Sequence, residues 1–154
     1  MSEQRLEFGP SVKGLLIDTL GKELPAPLIA TLRSEGLDVE KPLLPAYPAD
    51  VYVRCLRHVA RALWPDLTEA QGLQRLGERA VSGLNSNFLG KALVTLMRTI
   101  GLRRAVLRID RAFRNSNNYT RVEAKELSPT SVEFIFNTTG GMPTYFEGVF
   151  VAIV

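Results

Sequence analysis

The stretch Leu102 to Thr120, LRRAVLRIDRAFRNSNNYT, constrains the fold most, because a helical apolar period ends there and a strand period begins. At about 100° per residue, Leu102, Val106, Ile109 and Phe113 fall within one arc, and Arg103, Arg104, Arg108, Arg111 and Arg114 share the other side. The expectation is one helix laid on a core with a guanidinium face outward. Asn115, Asn117 and Asn118 tolerate left-handed backbone and cap helix ends, so they read as structural. Beyond them, Tyr119 to Leu127 and Ser131 to Asn137 alternate around Ser128-Pro129-Thr130, which predicts a β-hairpin.

Upstream the chain reads as helical. Gly9-Pro10-Ser11 starts a helix carrying Val12, Leu15, Leu16 and Leu20, closed by Gly21, and a second runs from Pro27 to Glu35 and stops at Gly36. The three prolines of Leu37 to Pro48 force an extended connection, and its Leu43, Leu44 and Tyr47 suggest packing on the core. Ala49 to Trp64 places Val51, Cys55, Leu56, Val59, Ala62 and Leu63 on one side and Arg54, Arg57 and Arg61 on the other, before Pro65 ends it. Thr68 and Gln71 make a capping-box signature for a helix from Glu69 to Gly83, with Asn85 and Asn87 marking the break. Phe88 to Ile100 is the most apolar segment and reads as a central, mostly buried helix. Gly140-Gly141 reads as a turn, and Pro143 to Val154 as a last helix.

These elements predict an α+β fold in which a helical N-terminal two-thirds packs on a small antiparallel sheet. With 154 residues, 45% hydrophobic and 23% charged, residues 1–154 fit one globular domain with a real core. Nineteen Lys and Arg against 16 Asp and Glu leave a net charge of only +3, which argues against a dedicated nucleic-acid binder, so electrostatic targeting must be local. Six arginines lie between Arg98 and Arg114, and Arg suits forked contacts to carboxylate or phosphate. One cysteine excludes an intrachain disulfide framework and fits a reducing compartment, and MSEQRLEFG is not a signal peptide. No run of about 18 apolar residues suggests a membrane span. The expectation is a cytoplasmic protein.

The combination of GLDVEKPLLPAYP (36–48), RLGERAVSG (75–83), FLGKAL (88–93) and NNYTRVEAKEL (117–127) resembles an uncharacterised paralogous family of myxobacteria over nearly the whole chain. That family is distantly similar to the fold shared by vinyl reductase-type ligand-sensing domains, haem nitric-oxide sensors and TRAPP-type trafficking subunits. The resemblance implies helices against an antiparallel sheet, small-molecule sensing and dimerisation; it names no cofactor. It also implies further strands after the last helix, so the chain either borrows a partner from another copy or is part of a longer protein. Fold-level analogy does not by itself fix function.

Candidate sites follow. His58 is the sole histidine, which excludes a His pair within one chain; with Cys55 three residues earlier it could ligate a haem or metal. TRAPP-type relatives accept a fatty acyl group on a cysteine, which makes Cys55 an acyl-site candidate, although its position also suits a small core residue. Arg103, Arg104, Arg108, Arg111 and Arg114 could bind phosphate or an acidic partner, or form a solvated face. Tyr145, Phe146, Val149 and Phe150 form an uncapped apolar run, expected to be an interface in a homodimer or with a partner protein. Tyr119, Tyr145 and Phe146 could instead line a cavity for a small apolar ligand. GxSxG, HExxH and paired cysteines are absent, so catalysis is the least supported class. The sequence therefore points to a sensory or protein-interaction module of bacterial signalling, with an anion-binding module as the alternative.

Overall fold

The computed structural model describes residues 3–82 and 88–153. Its order is β1 (Leu6–Phe8), α1 (Gly9–Lys13), α2 (Ala26–Glu35), β2 (Ala46–Pro48), α3 (Ala49–Leu63), α4 (Glu69–Ser82), α5 (Phe88–Ile100), α6 (Leu102–Val106), α7 (Ile109–Ser116), β3 (Val122–Ser128), β4 (Ser131–Phe136) and α8 (Pro143–Ile153). The fold is α+β with helices dominant, as expected. Among the described residues the sheet component is two separate antiparallel pairs. In one, Leu6 faces Pro48 and Phe8 faces Ala46; in the other, Val122 faces Phe136 and Glu126 faces Val132.

The start and stop signals work as local chemistry predicts. Thr68 N–H donates to Gln71 Oε1 (3.1 Å) and Gln71 N–H to Thr68 Oγ1 (3.2 Å), a reciprocal capping box at the head of α4. At the end of α2, Gly36 is left-handed (φ +106°), and the N–H groups of Gly36 and Leu37 close on Arg33 and Leu32 carbonyls. This Schellman turn aims Leu37 into the core, where it is fully buried. The helix begun at Gly9 continues as a π-helical turn over 14–19.

The core lies among α1 and its continuation, α2, α3 and α4, around Leu16, Leu20, Leu32, Leu56 and Leu76. A smaller cluster joins Ile109 and Val122 to Phe113, Phe134, Phe136 and Phe150, seating the hairpin on α7 and α8. Phe134 and Phe150 stack at 4.2 Å between ring centroids.

Three expectations change. The arginine helix is two helices: the backbone leaves helical geometry at Leu107 and Arg108, where Arg108 and Arg111 N–H groups bond the carbonyls three residues back. The restart puts Asp110 in the first turn of α7, and its Oδ1 accepts the Val122 N–H at 2.7 Å, tying α7 to β3. The helix Phe88–Ile100 forms, and the burial expected of Phe88, Leu89, Ala92, Leu93 and Leu96 lies outside the described residues. Leu44 is 57% exposed, whereas Tyr47 is buried, since only the latter points inward from β2. Ala62 is exposed, outside the buried stripe of α3. The expected break at Asn85 and Asn87 lies outside the described residues.

Helices α4 and α8 cross at backbone contact. A Cβ on Gly77 would sit 2.0 Å from the Tyr145 carbonyl oxygen, and one on Gly148 would sit 2.0 Å from that of Gln74. Such an approach admits only glycine at both positions, and it fixes where α8 stands.

Candidate functional site

With α8 held against α4, its other side faces α7, β1 and α3 across an apolar cavity of about 100 Å³. Leu56, Ile109, Phe113, Met142, Phe146 and Val149 supply much of the wall. The polar end is built around Glu7, which is only 5% exposed.

Glu7 is the inward residue of β1: in Leu6-Glu7-Phe8 the carboxylate is buried and both apolar neighbours are half-buried. The Ser11 hydroxyl, one turn into α1, donates to Oε1 at 2.9 Å, and the Tyr119 hydroxyl donates to Oε2 at 3.2 Å. No Lys, Arg or His among the described residues forms an ion pair with it. Burial pushes the Glu7 carboxyl up to about 7, against the opposing effect of hydrogen bonds from Ser11, Tyr119 and Asn117.

The asparagine cluster holds this end together. Asn117 Oδ1 accepts the N–H groups of Tyr119 (3.1 Å) and Thr120 (2.7 Å). Asn118 Oδ1 accepts the Leu6 N–H at 2.8 Å, its own N–H reaches the Leu6 carbonyl, and its amide donates to Gln4. The segment after α7 thus acts as a strand partner for β1 and places Tyr119 over Glu7. Burial also raises the Tyr52 and Tyr145 hydroxyls well above the ordinary phenol value.

The sequence-predicted residues distribute differently. Cys55 is fully buried in the main core, and burial, then the charge of Glu35, pushes its thiol up to about 12, the wrong direction for a nucleophile or acyl acceptor. His58 Nε2 contacts Glu35 Oε1 at 3.0 Å on the outer side of α3. Neither residue lines the cavity. Tyr145, Phe146 and Val149, expected at an interface, form cavity wall, and Phe150 packs on the hairpin. Tyr119 also lines the cavity. All five arginines of residues 103–114 are exposed; Arg103 pairs with Glu126 and Arg114 with Asp110. Glu7 escaped sequence reasoning, because a charged residue between two apolar ones normally faces water; the only clue was its seat immediately before Phe8-Gly9-Pro10.

Among the described residues no cluster of His, Cys, Asp and Glu could hold a metal, and no helix is long and apolar enough to cross a membrane.

Solved structures share this architecture. A Cs H-NOX mutant carrying 4-cyano-L-phenylalanine aligns over 94% of this chain and 79% of its own at TM-score 0.67 and 14% identity. An oxygen-binding H-NOX domain related to soluble guanylate cyclases aligns over 94% and 76% at 0.65 and 16% identity. A third, concerned with haem redox potential and porphyrin distortion, aligns over 94% and 80% at 0.64 and 15% identity. At such identities the likeness is one of fold.

The residues here do not fit a haem. The one histidine is on the outer side of α3, and among the described residues no cysteine or histidine lines the cavity and no cation lines it to meet propionates. Its phenols are held neutral by burial, and about 100 Å³ is far too small for a tetrapyrrole. No curated protein matches the chain in sequence. Residues 5–154 match the family described as protein of unknown function (DUF2378), and the chain belongs to that family.

Proposed function

We propose that this chain is a ligand-sensing module of bacterial signalling, in which a small apolar molecule occupies the cavity between α7 and α8. The observation that carries the reading is a cavity lined from six elements, β1, α1, α3, α4, α7 and α8, at the place where the hairpin cluster meets the main core. A molecule there touches both hydrophobic clusters at once, so occupancy changes the packing of one on the other. An apolar cavity of about 150 Å³ admits benzene, so about 100 Å³ sets an upper scale for the ligand of one small ring or a short chain. H-NOX neighbours described as binding oxygen support sensing on this fold. Purification under non-denaturing conditions and native mass spectrometry test the reading. The expected result is a small mass excess, or added benzene bound in its place, abolished by Ala112→Phe, which fills the cavity. A chain that retains nothing and takes up no small apolar molecule refutes it.

A second reading rests on Arg104, Arg108 and Arg111, which form no ion pair with any described residue. Together they offer a site for phosphate groups or an acidic partner. Binding to heparin that weakens steeply with salt, and is lost in Arg104→Glu with Arg108→Glu, is the expected result; salt-independent binding refutes it.

A further inference from the structure

The geometry points to a short-chain primary amine as the molecule this cavity takes, with its ammonium group against the Glu7 carboxylate and its chain along the apolar wall. The inference rests on the ligand-sensing reading above and specifies the polar group of that ligand.

Three observations carry it. First, the contacts of Glu7 favour its anion without neutralising it. The Ser11 hydroxyl donates to one carboxylate oxygen and the Tyr119 hydroxyl to the other, and such donors stabilise the charged form. Yet the residue is only 5% exposed, and no cationic side chain among the described residues pairs with it. Arg5, on the same segment, lies over the Tyr119 ring at 5.9 Å and not against the carboxylate. A buried anion that has hydrogen bonds and lacks a counter-charge gains most from a cation brought in from outside.

Second, acceptors remain for a group with several donors. Each Glu7 oxygen takes one hydroxyl and has a lone pair to spare. Tyr52 from α3 and Tyr145 from α8 line the same cavity, and neither hydroxyl hydrogen-bonds a described residue. The charge of Glu7 opposes ionisation of both phenols, so their hydroxyl ends lie toward the carboxylate. The three N–H donors of a primary ammonium match a carboxylate and two phenol oxygens, whereas an alcohol brings one donor and a ketone none. Third, the remaining wall is apolar: Leu56, Phe113, Phe146 and Val149 take the chain, and about 100 Å³ limits its length to a few carbons. A carboxylate ligand would put two anions in one small cavity without a cation, so anionic ligands are rejected.

The test titrates propylamine, 1-propanol and propionate, three probes of nearly the same shape, into the full chain at pH 8, where an alkylamine is protonated as lysine is. Binding is followed by the amide chemical shifts of Ser11, Ala112 and Val149, which line the cavity. Propylamine is expected to bind about tenfold or more tightly than propanol, the range of a hydrogen bond to a charged group, and propionate not to bind. Glu7→Gln keeps the shape and removes the charge, so it loses the preference for the amine. Should that variant not fold, Tyr52→Phe removes one N–H acceptor and is expected to weaken the amine about threefold; unchanged binding there counts against the inference. Equal binding of amine and alcohol to the unaltered chain, or a preference for the amine that survives in folded Glu7→Gln, overturns the inference, and uptake of benzene by the same sample leaves the cavity reading standing. If benzene is also refused, both fall.

Discussion

Replacing Glu7 by Gln converts a buried acid into a neutral shape mimic, and the stability difference between the two proteins reports the state of the acid in the fold. The folded carboxyl titrates near 7 against an ordinary 4.5. At about 1.4 kcal/mol for each tenfold change in proton affinity, holding Glu7 as an anion costs the fold about 3 kcal/mol. The direction follows from linkage: an acid with a raised value in the fold supports stability fully below its unfolded value, and that support is lost as pH rises through the folded one. Glu35 and Asp50 run the other way, since hydrogen bonds from Arg54 lower both, and they stabilise above their ordinary values. Those contributions cancel in the comparison. Urea unfolding of both proteins from pH 4.5 to 8.5 should show Glu7→Gln gaining on the parent progressively between about pH 5 and 7, by about 3 kcal/mol in all. A difference that stays flat across that range would mean the Glu7 carboxyl is as well solvated in the fold as in the unfolded chain, and the burial argument would be wrong.

Other expectations are more local. Gly148→Ala or Gly77→Ala drives a methyl into facing backbone and should cost about 1–3 kcal/mol or more in urea unfolding, because neither helix can yield a flexible side chain; a neutral outcome would show that α4 and α8 do not cross this closely. Thr68→Ala removes the capping hydroxyl of α4 and should cost about 1 kcal/mol, with any loss below a few tenths counting against the cap. Asn118→Ala unties β1 from the segment after α7, so the Leu6 amide should exchange faster with solvent while the Leu56 amide is unaffected; unchanged Leu6 protection would argue against the latch. Hemin added to the purified chain should produce no ligated Soret band, and a stoichiometric band sensitive to His58→Ala would contradict the assignment of that histidine to the outer face of α3.

What was legible in the sequence was what short-range chemistry decides. The Thr68–Gln71 box, the Gly36 stop, the hairpin about residues 128–130 and the helix from Pro143 are each set by a few adjacent residues, and each forms where those residues place it. The arginine face kept its exposure even though its helix breaks, because exposure follows charge residue by residue, while the break at Leu107–Arg108 carries no Gly or Pro to announce it. The apolar C-terminal run was legible as buried surface but not as to what buries it: Tyr145, Phe146 and Val149 find their partners within the chain, across a cavity opened by the Gly77–Gly148 crossing.

Glu7 marks where sequence reasoning stops. In a three-residue strand the period is too short to show a face, and hydropathy assigns Glu7 to water. What reverses the assignment is the Tyr119 hydroxyl, 112 residues away in sequence, brought over the carboxyl by Asn118 pairing with Leu6. A buried acid is costly, and a three-residue strand has every opportunity to turn it outward; the fold instead gives each carboxyl oxygen a hydroxyl donor, which offsets part of the cost of burial. In a cavity that lacks the room, the axial ligand and the cations a haem would need, the Glu7 carboxyl with its two hydroxyl partners is the acidic feature of the wall.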